Sequence, residues 1–415
     1  MAKIKEYTTY NKCRFCGSEN VEKVINLGKI PLAGGFLKNK SEFKKEKRYP
    51  LELLFCNNCF LVQTSISINP DTLFRKYFYF SSKIQTLVKH FEKNAKKAKR
   101  LTGKKGFVVE IGSNDGVFIK ALQRNNIRAL GIDPAINVVI PLIKQGFPII
   151  NSYFSEKLAK KIAKRYGHAD AIYSFHTLAH IEDMHDVARG IKILLKPNGY
   201  LAFEVHYLGD LIEKLQYDMI YHEHLHYYSL YTLINLFNQY DMKIFDVEKN
   251  NLRGGSIMYY VQNKHLGKKG VTKRVKNLIA LEEKQKLDSP ETYKQFNKKI
   301  EKTKKDLLKM LNSLKKKQKK IAGYGASGRG TVIINYCKLD NKFIDFVVDD
   351  APAKDGYYIP GIHNRIYPPK QLIDKKIDYS ILFAWPFAKE VKKRNKEYIK
   401  NSGKFIIPLP KVKII

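Results

Sequence analysis

The chain has 415 residues, 44% hydrophobic and 12% aromatic, which suffices for two or three packed domains and excludes a globally disordered polypeptide. Lys and Arg number 76 against 39 Asp and Glu, a net charge of +37. The lysines are scattered from end to end, so the excess reads as a composition bias that attracts anions in general, and no nucleic-acid partner is expected from it.

Residues 1–12 are polar and lack an apolar export core, and no apolar run approaches the ~20 residues that span a bilayer, so a cytoplasmic protein without a membrane segment is expected. Residues 1–75 read as a small domain of short irregular strands and turns around Cys13, Cys16, Cys56 and Cys59, punctuated by Pro31, Gly34, Gly35 and Pro50. Two Cys-x-x-Cys pairs, 39 residues apart, can surround one tetrahedral Zn²⁺. Four sulfur ligands leave no open coordination position, so the metal is expected to be structural. Cys337 stands alone, and the set does not form a disulfide framework.

Residues 76–263 read as an α/β domain. A helical pattern from Tyr77 to Leu101 leads into "GFVVEIGSNDGVFIKAL", a buried strand, glycine turn and helix. "RALGIDPA", "FPIINSYF", "ADAIYSFH", "GYLAFEVHY" and "GGSIMYYVQ" follow as strands, with helices such as 155–166 and 184–195 between them. This alternation implies a mostly parallel sheet covered on both faces.

Glu110, Gly112, Ser113, Asn114, Asp115 and Gly116 fall at the end of the first of these strands, and Asp133 and Pro134 at the end of the second, Asp133 lying 21 residues beyond Gly112. That arrangement suits a cofactor laid across the strand ends, with glycines allowing close backbone approach and a carboxylate for ribose hydroxyls. The Gly-x-x-x-Gly spacing lacks the phosphate-binding triplet that a pyrophosphate cofactor wants. It points instead to S-adenosylmethionine, whose cationic amino-acid end Glu110 and Asp115 can face.

Seven of the eleven histidines lie within residues 176–226. His176 and His180 follow the strand "AIYSF", and "MIYHEHLHYYS" gathers Tyr221, Glu223, His224 and Tyr227. Residues 264–319, rich in lysine, place Phe296, Ile300, Leu307, Met310, Leu311 and Leu314 near helical spacing and read as an amphipathic connector with a solvated outer face. Residues 320–415 restart the strand, glycine turn and helix pattern as a second, smaller α/β domain. Its Gly323-x-Gly325-x-x-Gly328, with Asp349 and Asp350 beyond, suggests a dinucleotide site by motif alone.

Taken together, the two Cys-x-x-Cys pairs, "YFYFSS", "EIGSNDG", "GIDPA", "HTLAHIED", "YHEHLHYYS", "GGS", "GYGASGRG" and "VVDD" give the chain a nearly full-length resemblance to a known family. The chain resembles the three-domain zinc-binding S-adenosylmethionine-dependent sugar C-methyltransferases, which act on nucleotide-linked deoxysugars. The resemblance implies a zinc-binding front domain, a class I methyltransferase middle and a Rossmann-like end that helps hold the sugar nucleotide instead of NAD. It also implies catalytic roles for Tyr221, Glu223 and His224 in "YxEH" and for His180 in "AHI", and puts Tyr324, Ser327 and Arg329 near the substrate. Gly328-Arg329 departs from the family's commoner Ala-Lys, and Arg329 still offers a cation.

A carbon next to a ketone gives up a proton because the charge left behind spreads onto oxygen. His224 is the expected base, Glu223 orients it or polarises the site, and Tyr221 and His180 donate to the enolate oxygen. Tyr77 and Tyr79 remain open for completing the pocket, Tyr77 toward substrate binding and Tyr79 toward catalysis. The competing readings are methylation of an oxygen or nitrogen, which needs no enolate stabiliser, and a zinc-containing nucleic-acid binder.

Overall fold

The computed structural model describes residues 6–77, 79–103 and 105–415, so Phe78 of "YFYF" lies outside the described residues. The continuous apolar runs "FVVEI" and "AIYSF" become adjacent strands buried on both faces, at the centre of a seven-stranded sheet. In spatial order the strands are Met242–Asn250, Ser256–Asn263, Leu195–His206, Ala169–Phe175, Phe107–Ile111, Arg128–Ile132 and Ile149–Ile150. Only Ser256–Asn263 runs antiparallel to its neighbours. The chain winds outward in both directions from Phe107–Ile111 and Ala169–Phe175, and the crevice at their carboxyl ends is where an open α/β sheet takes a ligand. "FPIINSYF" contributes only the two-residue strand Ile149–Ile150.

The helix expected from Tyr77 begins later, at Gln85, and runs to Thr102. Side chains of the glycine turn and of the helix Ile136–Lys144 hold the backbone that precedes Gln85. Asn114 accepts from the Ser81 N–H (3.0 Å) and donates to the Tyr79 carbonyl (3.0 Å), Asp115 accepts from the Ser82 N–H (3.1 Å), and Asn137 accepts from the Tyr77 N–H (2.9 Å). Backbone groups that a helix would pair internally are therefore taken, and the segment lies as an arm across the sheet's carboxyl edge.

Two strands of the front domain, Val21–Ile30 and Tyr49–Cys56, are longer than the short irregular ones expected, and with the short Val62–Thr64 they form an antiparallel sheet. Its fourth strand comes from the middle of the chain, His226–Tyr227, paired His226 to Gln63 and Tyr227 to Val62. This sheet does not close a core by itself. Ile25, Leu53 and Phe55 share one apolar cluster with Phe296, Ile300 and Leu311 of the helix Pro290–Lys316 and with Ile333 and Ile381 of the C-terminal domain. The connector is thus two helices, Lys273–Gln285 and Pro290–Lys316, with the apolar stripe of the second seated between domains and its lysines outward.

The C-terminal sheet runs, in space, Ile366–Tyr367, Val347–Val348, Ile321–Tyr324, Tyr379–Leu382, Lys404–Ile407 and Lys413–Ile414, parallel except for the last strand. No helix among the described residues is long and apolar enough to cross a membrane.

Candidate active site

A cavity of ≈310 Å³ opens at the carboxyl ends of the central strands, lined there by Glu110, Gly112, Ser113, Asn114, Asp133 and Pro134. Gly112 has φ +80°, and a Cβ on it would lie 2.0 Å from Thr177 Oγ1, so no side chain fits at this turn. Asp133 accepts from the Asn114 and Ala135 N–H groups, both at 2.9 Å, which fixes its carboxylate in the wall. Glu110 is buried, and burial together with Asp133 and Asp115 holds its carboxyl well above the usual range. Its Oε2 and the Ser113 Oγ have no hydrogen-bond partner among the described residues. An orphaned acid beside such a cavity fits the ammonium group of S-adenosylmethionine, a donor and a counter-charge together. Asp115 and Gly116 lie outside the lining: Asp115 holds the arm, and Gly116 begins the helix Val117–Arg124 in a left-handed conformation.

The arm and the "YHEHLHYYS" segment close the other side. Tyr77, Tyr79 and His180 line the cavity, and so does Leu225, the residue after His224. The Leu225 N–H donates to the Ala179 carbonyl (2.8 Å), which ties the two histidine segments together and brings the rings of His180 and His224 to 5.1 Å. Phe74 stacks on His180 at 5.5 Å, and Tyr221 lies 4.0 Å from the His224 ring. His224 Nδ1–H donates to the Met219 carbonyl (2.9 Å), leaving Nε2 as the nitrogen with the free lone pair. Burial pushes its imidazole down to about 3, so the ring is neutral at physiological pH, and His180 is likewise held well below its usual value by burial and by His224. Glu223 is pushed up to about 7 by burial, against a hydrogen bond from the Tyr77 hydroxyl (3.4 Å). The orienting partner of His224 is therefore a backbone carbonyl, and Glu223 pairs with Tyr77 instead.

The four cysteines come together as one cluster. All four Sγ atoms lie within 4.8 Å of one another, with Cys13 to Cys59 at 3.4 Å and Cys16 to Cys56 at 3.5 Å. A Zn–S bond near 2.3 Å puts tetrahedral sulfurs about 3.8 Å apart, so the cluster fits zinc with no position left for substrate. It is the one such group among the described residues; His222 and His226 do not join a metal set.

Three family models match successive stretches of the chain: a zinc binding domain over residues 13–74, a methyltransferase domain over 82–247 and a C-methyltransferase C-terminal domain over 251–410. The chain is 31% identical over 407 residues to the C-methyltransferase NovU of Streptomyces niveus, a match covering 98% of this chain and 97% of that protein. The chain belongs to the C-methyltransferase family. Similar solved structures include a SAM-dependent methyltransferase of Anabaena variabilis (14% identity, 41% of this chain and 82% of that one, TM-score 0.33). The PH0226 protein of Pyrococcus horikoshii is another (15% identity, 45% and 95%, TM-score 0.35). This C-methyltransferase is an S-adenosylmethionine-dependent enzyme with a zinc-binding front domain.

The C-terminal residues expected near substrate have other partners in this C-methyltransferase. Tyr324 is in the core, its hydroxyl between Asp350 (2.8 Å) and Asn395 (2.9 Å). Ser327 Oγ accepts from the Gly330 N–H (3.2 Å) and caps the helix Gly328–Cys337. Arg329 grips the buried Asp218 through two bonds, 2.8 and 3.0 Å, while Trp385 Nε1–H donates to the same carboxylate (2.9 Å). These contacts dock the C-terminal domain beside Met219, the carbonyl that orients His224. Asp349 and Asp350, the acids a dinucleotide would need, are paired with Lys354 (3.3 Å) and Arg394 (2.8 Å).

Two features escaped the sequence reading. Glu204, buried at the cavity wall, accepts from Asn250 (2.8 Å) and bridges His90 (2.7 Å) and His176 (2.8 Å). Both histidine contacts hold its carboxyl below the usual range in spite of burial. Arg253 also lines the cavity and donates to the Tyr79 hydroxyl at 2.6 Å.

Proposed function

We propose that this C-methyltransferase methylates a ring carbon next to the ketone of a nucleotide-linked keto-deoxysugar, with His224 removing the proton from that carbon. The observation that carries the reading is the His224 ring: buried, neutral, oriented through Nδ1 by Met219, and set beside Tyr221 and beside His180, which lines the cavity. S-adenosylmethionine, held by Glu110, Asp133 and the turn at Gly112–Asn114, supplies an electrophilic methyl group. The chain's own residues make the carbon nucleophilic. His224 Nε2 takes the proton, and the C–H electrons move onto the ketone oxygen, which meets hydroxyl and imidazole donors of Tyr221, His180 and the arm.

The nucleotide end is assigned to the glycine loop of the C-terminal domain, its backbone replacing the side chains now otherwise engaged. A Cβ at Gly328 would lie 3.4 Å from Ala33, and a Cβ at Gly34 would lie 3.4 Å from Glu223 Oε1, so glycine loop, front domain and Glu223 adjoin in sequence along one path. In D₂O, without methyl donor, wild-type enzyme is expected to place deuterium on a carbon flanking the ketone of dTDP-4-keto-6-deoxyglucose, read by mass spectrometry and NMR. Methyl transfer to an oxygen or nitrogen with no such exchange would overturn the proposal.

A second assignment, Glu223 as base, is favoured by its carboxyl lying at about 7, closer to the working pH than His224. In either assignment Glu223 acts as the carboxylate, the acceptor for Tyr77. Exchange should rise as pH climbs through about 7 and Glu223 ionises, and Glu223→Gln should flatten that limb. His224, at about 3, is neutral across this window and adds no limb of its own.

Glu110 gives a binding prediction. Burial holds its carboxyl well above the usual range, and a bound cation favours the ionised form, so binding is linked to proton release. Affinity for S-adenosylmethionine should strengthen as pH rises through that raised value, with proton release visible by calorimetry in buffers of different ionisation enthalpy. Glu110→Gln should abolish both effects.

A further inference from the structure

We propose that Arg253 is a positioning residue that makes the Tyr79 hydroxyl the donor for the developing enolate oxygen; the inference rests on the carbon-acid reading above. Among the described residues that line the cavity, Arg253 is the single Arg or Lys, facing a lining that includes Glu110, Asp133, Glu182, Asp183, Asp186 and Glu204. Its Nη2 donates to Tyr79 Oη at 2.6 Å, and the guanidinium sits 4.9 Å from the Tyr79 ring centre. A guanidinium can only donate, so the phenol oxygen accepts and must direct its own proton elsewhere. No other partner of Tyr79 Oη exists among the described residues, which leaves that proton for the cavity. A charged bond accepted by a phenol polarises its O–H and strengthens it as a donor.

The arrangement separates the two tyrosines of the arm. Tyr77 gives its proton toward Glu223, whereas Tyr79 receives from Arg253 and has its proton to offer. The placement of Arg253 is built into the turn. It adopts φ 54°, followed by Gly254 at φ 101° and Gly255 at φ 133°. A Cβ at Gly254 would lie 2.7 Å from Gln216 Oε1, and one at Gly255 2.1 Å from Asp210 Oδ2, so the turn is wedged against the segment carrying those side chains. Arg253 Nε is buried without a partner among the described residues. When a C–H proton passes to the base and its electrons reach the ketone oxygen, the new charge meets the Tyr79 O–H with the guanidinium behind it.

The test is donor-free deuterium exchange on dTDP-4-keto-6-deoxyglucose by wild type, Tyr79→Phe, Arg253→Gln, Arg253→Lys and the double variant Tyr79→Phe/Arg253→Gln, with S-adenosylmethionine affinity measured in parallel. Tyr79→Phe and Arg253→Gln should each slow exchange by ~10²–10³-fold, the loss typical of one oxyanion donor, and the double variant no further. Affinity for S-adenosylmethionine should stay at the wild-type value, and Arg253→Lys, which keeps the charge, should recover part of the rate. Wild-type exchange by Arg253→Gln, additive losses in the double variant, or weakened donor binding with exchange intact would each overturn the role; the last would make Arg253 a ligand of the donor's carboxylate. Should Arg253→Gln fail to fold, Arg253→Lys decides: exchange no faster than in Tyr79→Phe with donor affinity lost counts against the role. A wild-type enzyme silent toward the probe overturns the carbon-acid reading itself, and with it this one, before any variant is compared.

Discussion

Replacing His224 by Gln is expected to slow both proton exchange and methyl transfer by ~10²–10⁴-fold, the span that one well-placed acid or base supplies, with S-adenosylmethionine affinity unchanged. The reasoning is local. The ring is 8% exposed, and its Nδ1–H is committed to Met219, so the side chain cannot turn to exchange the roles of its nitrogens without breaking a buried bond. The donor cavity is walled at that point by Leu225, not by His224, which is why binding should survive. Exchange measured without donor isolates the proton step. If His224→Gln exchanges at the wild-type rate while Glu223→Gln does not, the base is Glu223.

The second large effect comes from a metal that touches no substrate. Cys56→Ser, or removal of zinc by a chelator, is expected to reduce methyl transfer in proportion to the zinc lost while the middle sheet still binds S-adenosylmethionine. Arg14 N–H, between the first two ligands, donates to Gln63 Oε1 (2.8 Å), and Gln63 Nε2 donates to the Lys12 carbonyl (2.8 Å), clamping the metal knuckle to the strand Val62–Thr64. That strand pairs with His226–Tyr227, and the Thr64 N–H donates to the Leu225 carbonyl (3.0 Å). Loss of the four sulfur bonds removes the support on which the segment 221–228 lies. Zinc content by elemental analysis, plotted against activity and calorimetric affinity for the same samples, checks this. Metal-free protein at full activity would refute it.

Much of the fold was legible because its signals are local. The Cys-x-x-Cys pairs, the glycine turn after "FVVEI" and the strand–helix alternation are short-range patterns, and the cluster of cysteines and the cavity lie where those patterns point. Contacts set by tertiary packing were not legible. Glu204 meets His90 from 114 residues away in sequence, and the partner that orients His224 is a backbone carbonyl, which carries no residue signature. Arg253 stands before a Gly-Gly turn that reads as a loop until the arm from Tyr79 is laid over it. The expected helix at Tyr77 failed for a related reason: Asn114, Asp115 and Asn137 outcompete local periodicity for its backbone. Arg329 was legible as a cation, and its partner Asp218, 111 residues away, was not.

The strand His226–Tyr227 belongs by sequence to the methyl-donor domain and by hydrogen bonding to the metal-bearing one. Dissection of this protein at its apparent seams would therefore separate methyl-donor capture from proton abstraction. A fragment holding only the central sheet would keep a nest for the cofactor but strip its histidine stretch of the strand Val62–Thr64 that it pairs with. Recombining front ends between relatives would succeed only where the borrowed edge accepts this two-residue graft.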